Sequence, residues 1–130
     1  MIVADASIIV DILLRAPGVE SIDARLFDTN ESLHAPHLID VEVAHVLRKY
    51  ALRGELTETR GKSAMVLLQR FPITRHAHEP LLSRIWKLRD NLSAYDATYV
   101  ALAEGLDATL VTRDAPLSSS SGHMARIELM

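Results

Sequence analysis

Short apolar runs and longer amphipathic ones alternate along the chain. MIVA at the start is brief, continuous and β-branched, as expected of a strand covered on both faces. SIIVDILLRAPG reads as a helix closed by Pro17 and Gly18. VESIDARLFDTN reads as a second helix with Ile22, Leu26 and the nearby Phe27 facing inward, and SLHAP as a short strand stopped by Pro36. In HLIDVEVAHVLRKYALRGEL, the residues Ile39, Val43, Val46, Leu47 and Tyr50 recur at the i, i+3, i+4 spacing of a buried helix face, and Gly54 ends it. TETRGKSAMVLLQRF is a further helix with Thr57 as N-cap, PITRH a strand, and HEPLLSRIWKLRD a helix starting near Pro80. LSAYDATYVALAEG is helical and apolar nearly all round, while ATLVTRD and ARIELM read as the last strands. SSSSG at 118–122 fits a flexible surface loop. Strands separated by one or two helices predict an α/β fold, a mainly parallel sheet flanked by helices, in a single domain over residues 1–130.

Composition narrows the chemistry. The chain has no cysteine, which excludes disulfides and thiolate zinc sites and agrees with a cytoplasmic location. The leading MIVADASIIVDILL lacks a basic start and is interrupted by Asp5 and Asp11, so it is not read as a signal peptide. No stretch approaches the ~18 apolar residues of a membrane span, and the expected protein is soluble, without a membrane partner. The formal net charge is −3, with 17 acids against 14 Lys and Arg. A protein that holds nucleic acid by charge alone would be basic, so a polyanionic partner requires local basic patches or bound cations.

The placing of certain acids is the informative feature. Asp5 ends the first strand and Asp114 follows TLVT, at the strand ends where ligands of open parallel sheets bind. Each also has a structural explanation, as a helix cap or turn residue. Glu42 shares a helix face with Ile39, Val43, Val46 and Tyr50, and His45 and Arg48 take the opposite face. The alternative puts Glu42 at the stripe's margin near Lys49, or favoured there by the helix dipole. Asp96 shares a face with Tyr99, Val100 and Ala103, although Ser93-Ala-Tyr-Asp96 also matches a capping box. Four ionised carboxylates converging on one crevice would repel at about 4 kcal/mol per close pair for a dielectric near 20. Protonation or a divalent cation relieves this, and Mg²⁺ or Mn²⁺ accepts oxygen ligands while keeping waters that a substrate displaces.

IVADAS, the Glu42 of DVEVAHVLRKY, the Asp96 of SAYDATYVALAEG and the Asp114 of LVTRD together resemble the PIN-domain ribonucleases, most closely the short VapC toxins of toxin–antitoxin pairs. The resemblance implies a divalent-metal-dependent endoribonuclease that leaves a 5′-phosphate, with Asp5, Glu42, Asp96 and Asp114 as metal ligands or acting through bound water. Ser7 and Thr112 match hydroxyl positions beside that cluster. The resemblance also implies an RNA substrate, a homodimer and a cognate VapB-type antitoxin. Arg48, Lys49, Arg53, Arg60 and Lys62, which bracket the turn after the Glu42 helix, are candidate RNA contacts.

Alternative readings make different demands. A phosphatase with an aspartate nucleophile would want an acid where Ser7 stands. A phospho-accepting receiver domain would offer a lysine after a late strand, which LVTRD and RIELM lack. A PIN-like binding module without catalysis would not need all the acids.

Overall fold

The computed structural model describes residues 1–27 and 30–130. Its sheet is five-stranded and parallel throughout: β1 (Ile2–Ala4), β2 (Leu33–Pro36), β3 (Thr74–His76), β4 (Thr109–Thr112) and β5 (Arg126–Leu129), in the order β3-β2-β1-β4-β5. The chain builds outward from β1 through β2 to β3, then returns to the other side of β1 for β4 and β5. The reversal lies between β1 and β4, where Ile2 pairs with Thr109 and Ala4 with Val111. Such a switch point leaves a crevice beyond the strands' carboxyl ends.

The helices follow the sequence pattern closely. They are α1 (Ala6–Leu14), α2 (Val19–Phe27), α3 (Leu38–Leu52), α4 (Glu58–Arg70), α5 (Leu82–Lys87), α6 (Ala94–Leu106) and the single turn α7 (Ala115–Ser118). Thr57 caps α4 as expected, its Oγ1 accepting the Arg60 N–H at 3.2 Å. Gly54, at a φ of 74°, takes the left-handed conformation that lets the chain leave α3. All of β1 is buried, and Ile8, Ile9, Ile39, Val43, Val100 and Leu110 pack around it. Helix α1 packs with α2, α3 and α4, whereas α6 lies against β1, β2 and β4 and carries α5. An Arg75–Asp40 ion pair ties β3 to the start of α3 at 2.8 Å, and the same guanidinium donates to the Leu68 carbonyl.

Three expectations are corrected. Phe27 is 48% exposed and meets Phe71 edge-on, because Leu26, at 1% exposure, takes the inward direction at the end of α2. The expected extension of α2 through residues 28 and 29 lies outside the described residues. The helix expected from Pro80 is split: a 3₁₀ turn at Glu79–Leu81 precedes the short α5. Helix α7 was not expected, and it forms because Asp114 caps it while Pro116 favours its first turn. No helix among the described residues is long and apolar enough to cross a membrane.

Candidate active site

The crevice at the switch point is a cleft of about 590 Å³ into which Asp5, Glu42, Asp96 and Asp114 all open. That volume is in the range of small-molecule sites, roughly 300–1,000 Å³. All the expected acids therefore meet in one place. Asp5 follows β1 and is only 7% exposed; its Oδ1 accepts the Ile8 N–H at 3.2 Å and the Ser7 hydroxyl at 2.5 Å. Its Oδ2 accepts the hydroxyl of Thr112, which comes from the neighbouring strand because β1 and β4 pair in parallel. Thr112 is itself 0% exposed and accepts the Asp114 N–H at 2.9 Å, so it acts through the acids and does not reach the cleft. Ser7 lines the cleft and also accepts the Arg113 N–H at 3.0 Å.

Asp114 caps α7, its Oδ1 accepting from Leu117 at 2.9 Å. Asp96 stands in the first turn of α6, where its backbone N–H donates to Ser93 at 3.1 Å. For Asp114 the capping explanation holds together with the functional one, whereas at Asp96 the backbone N–H joins the cap and the carboxylate does not return the bond to the Ser93 N–H. Asp96 is half-buried, at the open edge of a helix that is buried from Ala97 to Ala103.

Glu42 lies at the margin of the α3 core stripe. Ile39, Val43 and Leu47 face the core, while Glu42, His45, Val46 and Lys49 line the cleft. His45, expected on the opposite face with Arg48, therefore belongs to the cleft wall: at ~3.6 residues per turn it stands only about 60° from Glu42. Across the cleft, the Tyr99 hydroxyl donates to Glu42 Oε2 at 2.5 Å. Tyr99 is 2% exposed, so its position reads as core and the pattern does not mark its hydroxyl as part of the site.

Electrostatics sets this cluster apart. Burial raises the Asp5 carboxyl above its ordinary value of 3.8, against the hydrogen bonds from Ser7, Thr112 and the backbone. Burial likewise raises Glu42, opposed by the Tyr99 bond and reinforced by repulsion from Asp5 and Asp96. Asp96 is raised by burial and then by Asp114 and Asp5, with Ser93 opposing. The Tyr99 phenol is pushed far up by burial and by Glu42, so it stays a donor at any ordinary pH.

The donor set suits a hard cation. It consists of carboxylates whose mutual repulsion a divalent ion would relieve. Among the described residues no three His, Asp or Glu side chains form a ready-made ligand cage. An ion that keeps several of its waters needs none.

A match to the PIN domain model extends over residues 2–119. Ribonuclease VapC9 of Mycobacterium tuberculosis is 45% identical over 120 residues, covering 92% of this chain and 91% of that protein. Ribonuclease VapC1 of the same organism is 38% identical over 129 residues, covering 98% and 96%. The chain belongs to the PIN-domain family, among the VapC ribonucleases. The PIN fold also recurs at low identity in solved structures. VapC20 of M. tuberculosis, described as a sarcin–ricin loop cleaving toxin, superimposes with a TM-score of 0.70 at 14% identity over 95% of this chain and 97% of that one. VapBC2 of Rickettsia felis, solved on a promoter DNA fragment, also gives 0.70 at 14% identity, covering 99% and 98%. Membership of the PIN family does not favour the receiver-domain alternative.

The basic residues expected at the RNA surface are dispersed in this PIN domain. Lys49 alone among them lines the cleft. Arg48, Arg53 and Lys62 are exposed outside it, and Arg60 donates to the Leu14 carbonyl at 2.6 Å, tying α4 to the end of α1.

Proposed function

We propose that this PIN domain, extending over residues 1–130, is a divalent-metal-dependent endoribonuclease and the toxin of a type II toxin–antitoxin pair. The observation that carries the reading is the convergence of Asp5, Glu42, Asp96 and Asp114 on one cleft at the sheet's switch point. The likeness to VapC9 and VapC1 over nearly the whole chain supports the same activity. Mg²⁺ is the assigned ion, with Mn²⁺ as a substitute, and Asp5, Glu42, Asp96 and Asp114 would hold it directly or through its waters. When bound, such an ion supplies a water of lowered pKa and offsets charge that develops on the phosphoryl oxygens.

The protein's own groups do the rest. Ser7, Thr112 and the Ile8 N–H fix both oxygens of Asp5. Tyr99 orients Glu42, a carboxylate on the cleft wall that can receive a proton from the attacking water. Asp114 and Asp96 complete the negative wall, and Lys49 offers a charge to the incoming phosphodiester. A VapB-type antitoxin that blocks the cleft, a homodimeric state and a cytoplasmic location belong to the same proposal.

The test is cleavage of total small RNA by purified protein with Mg²⁺, with Mn²⁺ and with excess EDTA, alongside folded Asp5→Asn and Asp96→Asn variants. Discrete products that disappear with EDTA and in both variants are expected. Cleavage that persists in both would remove the four-acid site from the mechanism.

A further inference from the structure

Glu42, His45 and Lys49 all line the cleft from α3. At i, i+3 and i+7 they form a row along one side of the helix. His45 stands about 4.5 Å further along the helix axis than Glu42, and Lys49 about 6 Å beyond His45, from the helical rise per residue. The row runs from the acids, where the attacking water is activated, to the cation that meets the phosphodiester. Hydrolysis that leaves a 5′-phosphate breaks the P–O3′ bond. Attacking and leaving oxygens then lie on opposite sides of phosphorus, a few ångström apart, and the departing 3′-oxygen is a strong base that needs a proton. Few cleft groups can give one. The carboxylates accept, while the Tyr99 hydroxyl is engaged by Glu42 and the Ser7 hydroxyl by Asp5. Lys49 is a compact point charge suited to phosphate oxygens. Tyr95, on α6, carries a phenol, and a phenol parts with its proton less readily at neutral pH than an imidazolium does.

We infer that His45 is the catalytic residue that gives a proton to the leaving 3′-oxygen, one helical turn from Glu42 on the same cleft wall. The inference rests on the ribonuclease reading of the site. Water attacks phosphorus and gives its proton to Glu42. The P–O3′ bond breaks, its electron pair departs on O3′, and O3′ takes a proton from a ring N–H of His45. The products are a 5′-phosphate and a 3′-hydroxyl. Proton exchange with solvent returns both side chains to their starting states, and His45 is exposed, so that exchange is open to it.

The experiment maps a cleaved site in the small-RNA pool and remakes it as a short oligoribonucleotide with either oxygen or sulfur at the bridging 3′ position. Sulfur leaves as a thiolate without help from an acid, because a thiol's ordinary pKa is about 8.5. With Mg²⁺ and the oxygen substrate, His45→Ala should lower kcat by about 10²- to 10⁴-fold, the range for general acid catalysis, and move KM little. With the sulfur substrate the same variant should fall within a few fold of wild type. The exposed position spares the core, and thermal melts check the fold. With Ca²⁺ in place of Mg²⁺, a product strand ending in a 3′-hydroxyl should shift the His45 ring signal in NMR spectra, assigned by its absence from His45→Ala. Equal losses on both substrates, or no loss on either, would overturn the proton-donor role while leaving the nuclease intact. So would an unmoved ring signal. A defect in Tyr95→Phe that sulfur abolishes, with His45→Ala unaffected, would transfer the role to Tyr95 and overturn the assignment of His45. Failure of wild type to cleave the total small-RNA pool would overturn the ribonuclease reading and this inference with it.

Discussion

Deleting one hydroxyl tests how the cleft holds Glu42. In Tyr99→Phe the ring keeps its place in the core, where Tyr99 is 2% exposed, so little packing is lost. What goes is a 2.5 Å hydrogen bond to a half-buried carboxylate. Bonds to charged groups contribute about 1.5–3 kcal/mol, neutral ones about 0.5–1.5. Burial already raises the Glu42 carboxyl above 4.5 and the Tyr99 bond opposes that rise, so the variant's carboxyl moves further up. A folded pKa above the unfolded one means stability that is full below the unfolded value and is lost as pH rises through the folded one. The penalty of Tyr99→Phe should therefore grow with pH. It reaches about 1.5–3 kcal/mol where Glu42 is ionised and falls toward the neutral-bond range in acid. Urea denaturation in EDTA, at pH 4 and pH 8, of Tyr99→Phe, Glu42→Ala and the double variant isolates the pair. A coupling below about 0.5 kcal/mol at pH 8, or one independent of pH, would refute the assignment of Tyr99 as the group that orients Glu42.

Two other substitutions probe the same cluster from different sides. Thr112→Val keeps the shape of a fully buried residue but strips a donor from Asp5 and an acceptor from the Asp114 N–H; a loss of about 2–4 kcal/mol is expected in urea titrations, larger at pH 8 than at pH 5 because the Asp5 carboxyl moves up further. Asp96→Asn removes a charge that burial opposes and that Asp114 and Asp5 further repel, so in EDTA at pH 8 it should stabilise the fold by about 0.5–2 kcal/mol, with the gain vanishing below the unfolded value of 3.8. Adding Mg²⁺ to ~100 times its Kd should then stabilise wild type by about 2.7 kcal/mol and the variant far less, reversing the order in thermal melts.

The strand–helix alternation was legible because each element has one dominant period and buried strands such as Ile2–Ala4 leave no polar interruption. The acids were legible for a related reason: an acid beside an apolar run is conspicuous. Residues that serve two purposes were harder to read. Helix α3 turns Ile39, Val43 and Leu47 to the core and Leu38, Glu42, His45 and Lys49 to the cleft. Hydrophobic periodicity marks the first stripe and leaves the remainder as solvent-facing, so it does not separate cleft-lining His45 from exposed Arg48. Tyr99 is the converse case. Its ring is core and its hydroxyl is site, and hydrophobic periodicity registers only the ring. The basic residues after α3 gave no such signal, since exposed charge looks the same wherever a side chain points.

The capping and catalytic explanations of the acids describe one geometry. A helix that starts just after a strand end needs an oxygen to satisfy its first N–H groups, and that oxygen is held at the carboxyl edge of the sheet. Asp5 does this for α1, with Ile8 as donor, while opening into the cleft. The helix dipole favours a carboxylate there by only about 0.3–1 kcal/mol. Close like charges at a dielectric near 20 oppose each other by about 4 kcal/mol. The caps therefore hold Asp5 and Asp114 in place without neutralising them, and burial, joined by like-charge repulsion at Glu42 and Asp96, raises the carboxyls of Asp5, Glu42 and Asp96. A fold that needed these acids only as caps could have used serine, as α6 does at Ser93 and α4 nearly does with Thr57. Keeping four acids around one cleft accords with the proposal that a cation and a phosphodiester are what the cleft receives.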